Sequence, residues 1–352
     1  MDDRNDVGAE NSNDSNTSTY SGDAAMSRIG LDVGTSKVVT ARGDSKSSES
    51  AAQLNAFLAV PFTSLAQNTL QQNGIPFYRE GDELIVYGSA SENFAHMFNA
   101  ESRRPMAKGI LNPREPAAAH VLESILSTLV PPARQSGEVL AFSVPAASAE
   151  TGSDITYHEE TLKRYLRGRG YTPLAVNEGL AVVLAELANE SFTGIGVSCG
   201  GGMCNVALSY LSIPSLAFSI AQGGDFIDSS VGSVVHETPT RVKAIKEDDL
   251  DLTRSTDDKI RKALHIYYDR LIESLVDELH RAVARSQKLP RTNKPLPIVL
   301  AGGTAMPKGF RDRFEQTLRK RTLPFEVGDV RLASDPLTAT ARGTLVAALA
   351  ER

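Results

Sequence analysis

The 352 residues contain only two cysteines, Cys199 and Cys204, close together in one short segment. A disulfide framework needs more, and with no recognisable signal peptide the low count fits a reducing, cytoplasmic compartment. A zinc site would need two further soft or imidazole ligands, and none of the six histidines falls near the pair. The thiols read as small buried side chains. Long apolar runs are also missing, so no integral membrane segment is expected. Excess positive charge is lacking too: the net charge is −6, which argues against a general nucleic-acid partner. Local basic clusters, Arg103-Arg104 and Arg319-Lys320-Arg321, read as solvated faces.

What is present is a globular composition, 41% apolar and 23% charged. The length is too great for one ordinary core and suits two domains around a cleft. Residues 1–27, rich in Asp, Asn, Ser and Gly, cannot repay the entropy of ordering and read as a disordered tail. From Arg28 on, strands alternate with helices, which predicts an α/β architecture. "RIGLDVGTSKVVTARG" reads as strand, tight turn and second strand. A polar stretch, Gly43 to Ser50, follows. Val121, Ile125, Leu126 and Leu129 are spaced for one helix face. "VLAFSVP" is a buried strand, "YHEETLKRYLRGRGY" a charged helix, "PLAVNEG" a strand and "LAVVLAELANE" a helix.

The second half repeats this grammar. "GVSCGGGMCNVAL" sets three glycines between two apolar runs, and "LPIVLAGGTAMPKGFRDRFEQTL" is strand, double-glycine turn and helix. Successive N–H groups in such turns form an anion-binding concavity. In the first turn, Asp32 ends a strand just before Gly34, Thr35 and Ser36, an arrangement that suits a phosphate with its cation and equally suits an ordinary β-turn. Glu178 falls at a helix start, where the helix dipole favours a carboxylate whatever its function.

Taken in order, "GLDVGTSKVV", "RRPMAKGIL", "SCGGGMCN", "GGDFID" and "VLAGGTAMPKGF" resemble the motifs of the actin, heat-shock-chaperone and sugar-kinase ATPase superfamily, with bacterial MreB-type actins the nearest branch. The resemblance runs from about residue 28 to the C-terminus. It implies two actin-like (ribonuclease H-like) α/β domains, each a mixed five-stranded sheet with helices, around a nucleotide cleft. One domain would comprise residues 28–188 plus 333–352, with a small inserted subdomain at about 42–100. The other would be 189–332, with a small subdomain at about 226–257.

Carried over by position, the resemblance implies ATP with Mg2+ as ligands. Asp32 would face the metal, directly or through water, and Gly34, Thr35, Ser36 and Lys37 would lie at the phosphates. Gly200, Gly201 and Gly202 would close over them. Gly223 and Gly224 would adjoin sugar and phosphates, Lys243 the adenosine, and Gly302 and Gly303 its other side. "NEGLAVVLA" places Glu178 as the carboxylate that positions the attacking water.

The second loop departs from the family's Asp-x-Gly-Gly-Gly-Thr: Ser198 stands for the Asp, Met203 for the Thr, and Asn205 for a later acidic residue. Backbone recognition of phosphate is expected to survive, while a misplaced metal or water would slow chemistry by about 10² or more. Asp225 and Asp228 are candidates to take over the metal. Thr240 and Arg241 stand where the family has glutamates, which removes an expected ribose contact. The expected function is a slow ATPase, or a non-hydrolysing binder, that assembles with itself into filaments serving cell shape, division or internal organisation. Cell-envelope or division proteins are further expected partners, with a location in the cytoplasm or at the inner-membrane surface. The alternatives are a pseudo-ATPase scaffold with an FtsA-like role and a small-molecule kinase using Asp154 as its base.

Overall fold

The computed structural model describes residues 28–351 apart from 45–46, 99, 149–154, 288, 290–291 and 293. The N-terminal tail, residues 1–27, and Asp154 lie outside the described residues. Apolar alternation around Asp32 forms β1 (Arg28–Val33), and a turn returns the chain as β2 (Lys37–Gly43) and β3 (Ser48–Leu54). The polar stretch from Gly43 thus ends inside a strand. β3 is exposed along most of its length and pairs only with β2, so as an edge strand it needs no apolar face.

A small unit then projects from the sheet. It comprises β4 (Phe57–Pro61), α1 (Ser64–Gln72), β5 (Phe77–Glu80), β6 (Glu83–Tyr87) and α2 (Ser89–Met97). The chain returns through a short hairpin, β7 (Met106–Ala107) and β8 (Ile110–Leu111). It continues as α3 (Ala118–Leu129), β9 (Glu138–Val144), α4 (Thr156–Gly168), β10 (Tyr171–Asn177) and α5 (Glu178–Glu186). On α3 the expected face, Val121, Ile125, Leu126 and Leu129, is buried.

The second half comprises β11 (Gly194–Cys199), β12 (Cys204–Tyr210), β13 (Ile213–Ile220), α6 (Gly224–Val235), α7 (Pro239–Asp249), α8 (Lys259–Arg285), β14 (Leu296–Ala301), α9 (Phe310–Leu318), β15 (Val327–Leu332) and α10 (Ala339–Ala350). Its sheet order, β13-β12-β11-β14-β15, matches that of the first half, β3-β2-β1-β9-β10. In each sheet the first three strands are antiparallel and the last two run parallel to the first. The strand-turn-strand echo in the sequence is therefore an echo of whole sheets.

Two helices lie between the sheets. α5 packs on β11 and β12, α10 packs on β1, and the two meet each other. Glycine makes these approaches possible: a Cβ at Gly343 would lie 1.7 Å from the Ala181 carbonyl oxygen, and one at Gly30 would lie 2.2 Å from the Leu345 nitrogen. The second core centres on α8, where Tyr268 meets Phe310 edge-on at 6.0 Å. Leu264, Leu271 and Leu275 are fully or almost fully buried there, and truncating one such leucine to alanine costs about 2–5 kcal/mol. This packing fixes the ends of β1 and β11, and with them the two glycine turns, on opposite walls of one cleft. Among the described residues no helix is long and apolar enough to cross a membrane.

Candidate nucleotide cleft

The cleft has a volume of about 560 Å³. In the first turn the Gly34 amide donates to the Lys37 carbonyl at 3.0 Å, and Asn55 braces the loop by donating from Nδ2 to the Gly34 carbonyl at 2.9 Å. In the second, the Gly200 amide donates to the Met203 carbonyl at 2.9 Å. The carbonyls of Gly200 and Gly201 accept from the amides of Gly224 and Asp225 at the start of α6, and Thr304 Oγ1 donates to the Gly200 carbonyl at 2.8 Å. The carbonyls of the second turn therefore face helix donors. The amides of Thr35, Ser36, Gly201 and Gly202 have no acceptor among the described residues, as an anion-binding concavity requires.

The two turns touch. A Cβ at Gly201 would lie 2.2 Å from Ser36 Oγ, and one at Gly202 would lie 2.3 Å from Thr35 Oγ1. Only glycine permits that separation. Thr35 also accepts from the Gly109 amide at 3.0 Å, so the "RRPMAKGIL" segment packs against the first turn.

Asp32 and Glu178 are two of the carboxylates that line the cleft. Asp32 Oδ1 accepts from Ser143 Oγ at 2.8 Å. Glu178 is the first residue of α5, a helix capped by Asn177, whose Oδ1 accepts from the Leu180 amide at 3.2 Å. Glu178 Oε2 accepts from Asn205 Nδ2 at 2.9 Å and from Ser198 Oγ at 3.3 Å. Asn205 is fixed in turn by the Ala146 amide, which donates to its Oδ1 at 2.9 Å. Burial pushes Glu178 up to about 8, and the charge of Asp32 adds to the rise. Burial likewise moves Asp32 to about 6, against the Ser143 hydrogen bond. Without a cation, burial and the Asp32 charge both favour the protonated form of Glu178.

The residues read from the sequence fall as follows. Asp32, Gly34, Thr35, Ser36, Lys37, Glu178, Gly200, Gly201, Gly202, Gly224, Lys243, Gly302 and Gly303 all line the cleft. Gly223 lies behind the second turn: a Cβ there would be 2.5 Å from the Gly201 carbonyl oxygen. Lys243 reaches Glu92 Oε1 at 3.3 Å, on the rim formed by α2. Asp225 and Asp228, considered above as replacement metal ligands, are already engaged. Arg104 Nη1 holds both oxygens of Asp225 at 2.7 and 2.8 Å, and Lys246 Nζ holds Asp228 Oδ2 at 2.7 Å.

Lys246 was not singled out in the sequence. It is buried, lines the cleft and also donates to the Gly224 carbonyl at 3.2 Å. Its signal was a lysine one turn beyond Lys243 on a short charged helix, where solvation is the ordinary expectation. Thr304, Met306, Pro336, Leu337 and Thr340 complete the wall beside Gly302. Gly302 itself has φ +87°, and a Cβ there would sit 2.2 Å from the Cys199 carbonyl oxygen.

Paired mixed sheets, helices between them and two facing glycine turns give an actin-like fold. The solved structures agree. The MamK double helical filament matches with a TM-score of 0.70 at 18% identity, covering 92% of this chain and 98% of that one. MreB5 of Spiroplasma citri bound to AMPPNP matches at 0.63 and 15% identity, covering 90% and 94%. The ethanolamine utilization protein EutJ of Carboxydothermus hydrogenoformans matches at 0.55 and 16% identity, covering 91% and 89%. No curated protein matches the sequence. The family model for Volactin matches residues 26–348, and the chain belongs to the Volactin family.

Proposed function

We propose that this chain binds ATP with Mg2+ in the cleft, hydrolyses it slowly and assembles with itself into filaments whose growth follows the bound nucleotide. The observation that carries the reading is the pair of touching glycine turns, whose unengaged amides face one cleft that Asp32 and Glu178 also line. The MamK structure is a double helical filament and the MreB5 structure contains AMPPNP; both facts support the reading by fold.

The donors suit the ligand. Asp32 offers a hard oxygen for magnesium, directly or through water, and the metal, when bound, supplies positive charge to the phosphates. The turn amides would bind phosphate oxygens, while Lys246 and Thr304 would lie toward the nucleoside. Glu178 would orient the attacking water, a role sufficient for phosphoryl transfer, which depends mostly on positioning and electrostatics. That role needs the ionised carboxylate; burial and the Asp32 charge oppose ionisation in the empty cleft, and the positive charge of magnesium at Asp32 would favour it once nucleotide is bound.

A second reading, a nucleotide-locked scaffold without turnover, is favoured by Ser198, which supplies no metal-directed carboxylate on the second turn and instead holds Glu178. Cell-envelope or division proteins would be the partners of either form. The experiment measures ATP and GTP binding with Mg2+, phosphate release and sedimentation on the same sample. Binding, slow release and a nucleotide-dependent pellet support the filament, with Glu178→Ala stopping release but sparing binding. Binding without release or pellet selects the scaffold, and no binding refutes the cleft.

A further inference from the structure

Arg104 ties the two halves of the molecule together where the glycine turns meet. It follows the projecting β4–α2 unit and precedes Pro105 and β7. One nitrogen, Nη1, donates to both carboxylate oxygens of Asp225 and to Ser36 Oγ at 3.2 Å. Ser36 belongs to the first turn. Asp225 stands in the first turn of α6, and its amide donates to the Gly201 carbonyl of the second turn at 2.8 Å. A single guanidinium therefore spans from one turn to the support of the other.

The guanidinium is only partly used. The Arg104 side chain is 24% exposed, and neither Nε nor Nη2 has a hydrogen-bond acceptor among the described residues. An oxygen hydrogen-bonded to Ser36 Oγ would lie within about 6 Å of Nη1, the sum of two hydrogen-bond lengths. Arg104 does not itself line the cleft, but its two partners, Ser36 and Asp225, do, so a phosphate held by the turn amides and Ser36 comes within reach of the guanidinium after a small side-chain movement and competes with the single charge of Asp225. Arginine's planar fork suits phosphate better than one nitrogen straddling a carboxylate.

We propose that Arg104 reads the terminal phosphate of a bound nucleoside triphosphate, exchanging Asp225 for phosphate oxygens when that group is present and returning to Asp225 when it is absent. The proposal rests on the nucleotide reading of the cleft. Arg104 is then a specificity residue that favours triphosphate over diphosphate, and Asp225 is its built-in competitor.

The test is calorimetric titration of the full chain with Mg-ATP and with Mg-ADP, for wild type, Arg104→Gln, Arg104→Lys and Asp225→Asn, with thermal melts to check folding. Arg104→Gln should weaken ATP roughly tenfold or more, the loss of a charged hydrogen bond, and leave ADP within about twofold. Asp225→Asn should tighten ATP severalfold, and Arg104→Lys should keep part of the preference. Equal weakening of both nucleotides in Arg104→Gln, or none, overturns the proposal and leaves Arg104 a strut. If Arg104→Gln does not fold, unchanged ATP/ADP ratios in the other two variants overturn it. Failure of wild type to bind either nucleotide refutes the cleft reading itself, and the proposal with it.

Discussion

Replacing Glu178 by Gln isolates the buried carboxyl through the pH dependence of stability. Folding raises Glu178 from an ordinary 4.5 to about 8, so between these values the folded state binds more protons than the unfolded state. Stability contributed by such a group is fully present below the unfolded value and is lost as pH rises toward the folded one, at up to about 1.4 kcal/mol per pH unit. Between pH 6 and 8 the loss from this one group is on the order of 2 kcal/mol, a fall in melting temperature of roughly 3 °C. Glutamine is neutral at every pH and keeps an oxygen to accept from Asn205 and Ser198. In metal-free buffer, scanning calorimetry at pH 6, 7 and 8 should show the wild-type melting temperature declining and the Glu178→Gln decline nearly flat. Parallel slopes in the two proteins would show that Glu178 is ionised in the folded state and would refute the argument.

Gly201→Ala forces a Cβ to 2.2 Å from Ser36 Oγ; the turns must separate, and nucleotide binding should fall at least tenfold by calorimetry while the melting temperature shifts less than for a core truncation. Ser198→Asp would add a carboxylate beside Glu178, lowering metal-free stability by roughly 1–3 kcal/mol but raising Mg-dependent phosphate release; unchanged release would count against Ser198 as the cause of slow turnover. Glu186, 5% exposed in its side chain, bridges Arg331 and Arg342 and accepts from Ser334. Glu186→Gln removes the charge that both arginines share while Arg331 keeps the Glu186 carbonyl and Arg342 keeps Ser334, and should cost about 1–2 kcal/mol in chemical denaturation. Gly343→Ala should abolish folding outright, because its Cβ would fall 1.7 Å from a carbonyl oxygen of α5.

The order of five glycine-bearing motifs resembles that of actin-like proteins, and the resemblance implied the architecture; the strand-turn-strand pattern in each half by itself implied only an α/β fold. Asp32, the two turns and the Gly302 loop were legible for the same reason. β3 was not, since an exposed edge strand carries no apolar alternation. α8 was passed over, although Leu264, Leu271, Leu275 and Leu279 keep one helical face buried. Nor was the engagement of Asp225 and Asp228 legible: their partners Arg104 and Lys246 come from other elements, 121 and 18 positions away. Local patterning of side chains and glycines is written into consecutive residues, so the sequence by itself determined most of the strands, the glycine turns and the glycines that line the cleft. Charge pairing, the protonation of Glu178 and the contact between the turns depend on distances and burial across distant segments, and only the tertiary structure decided them.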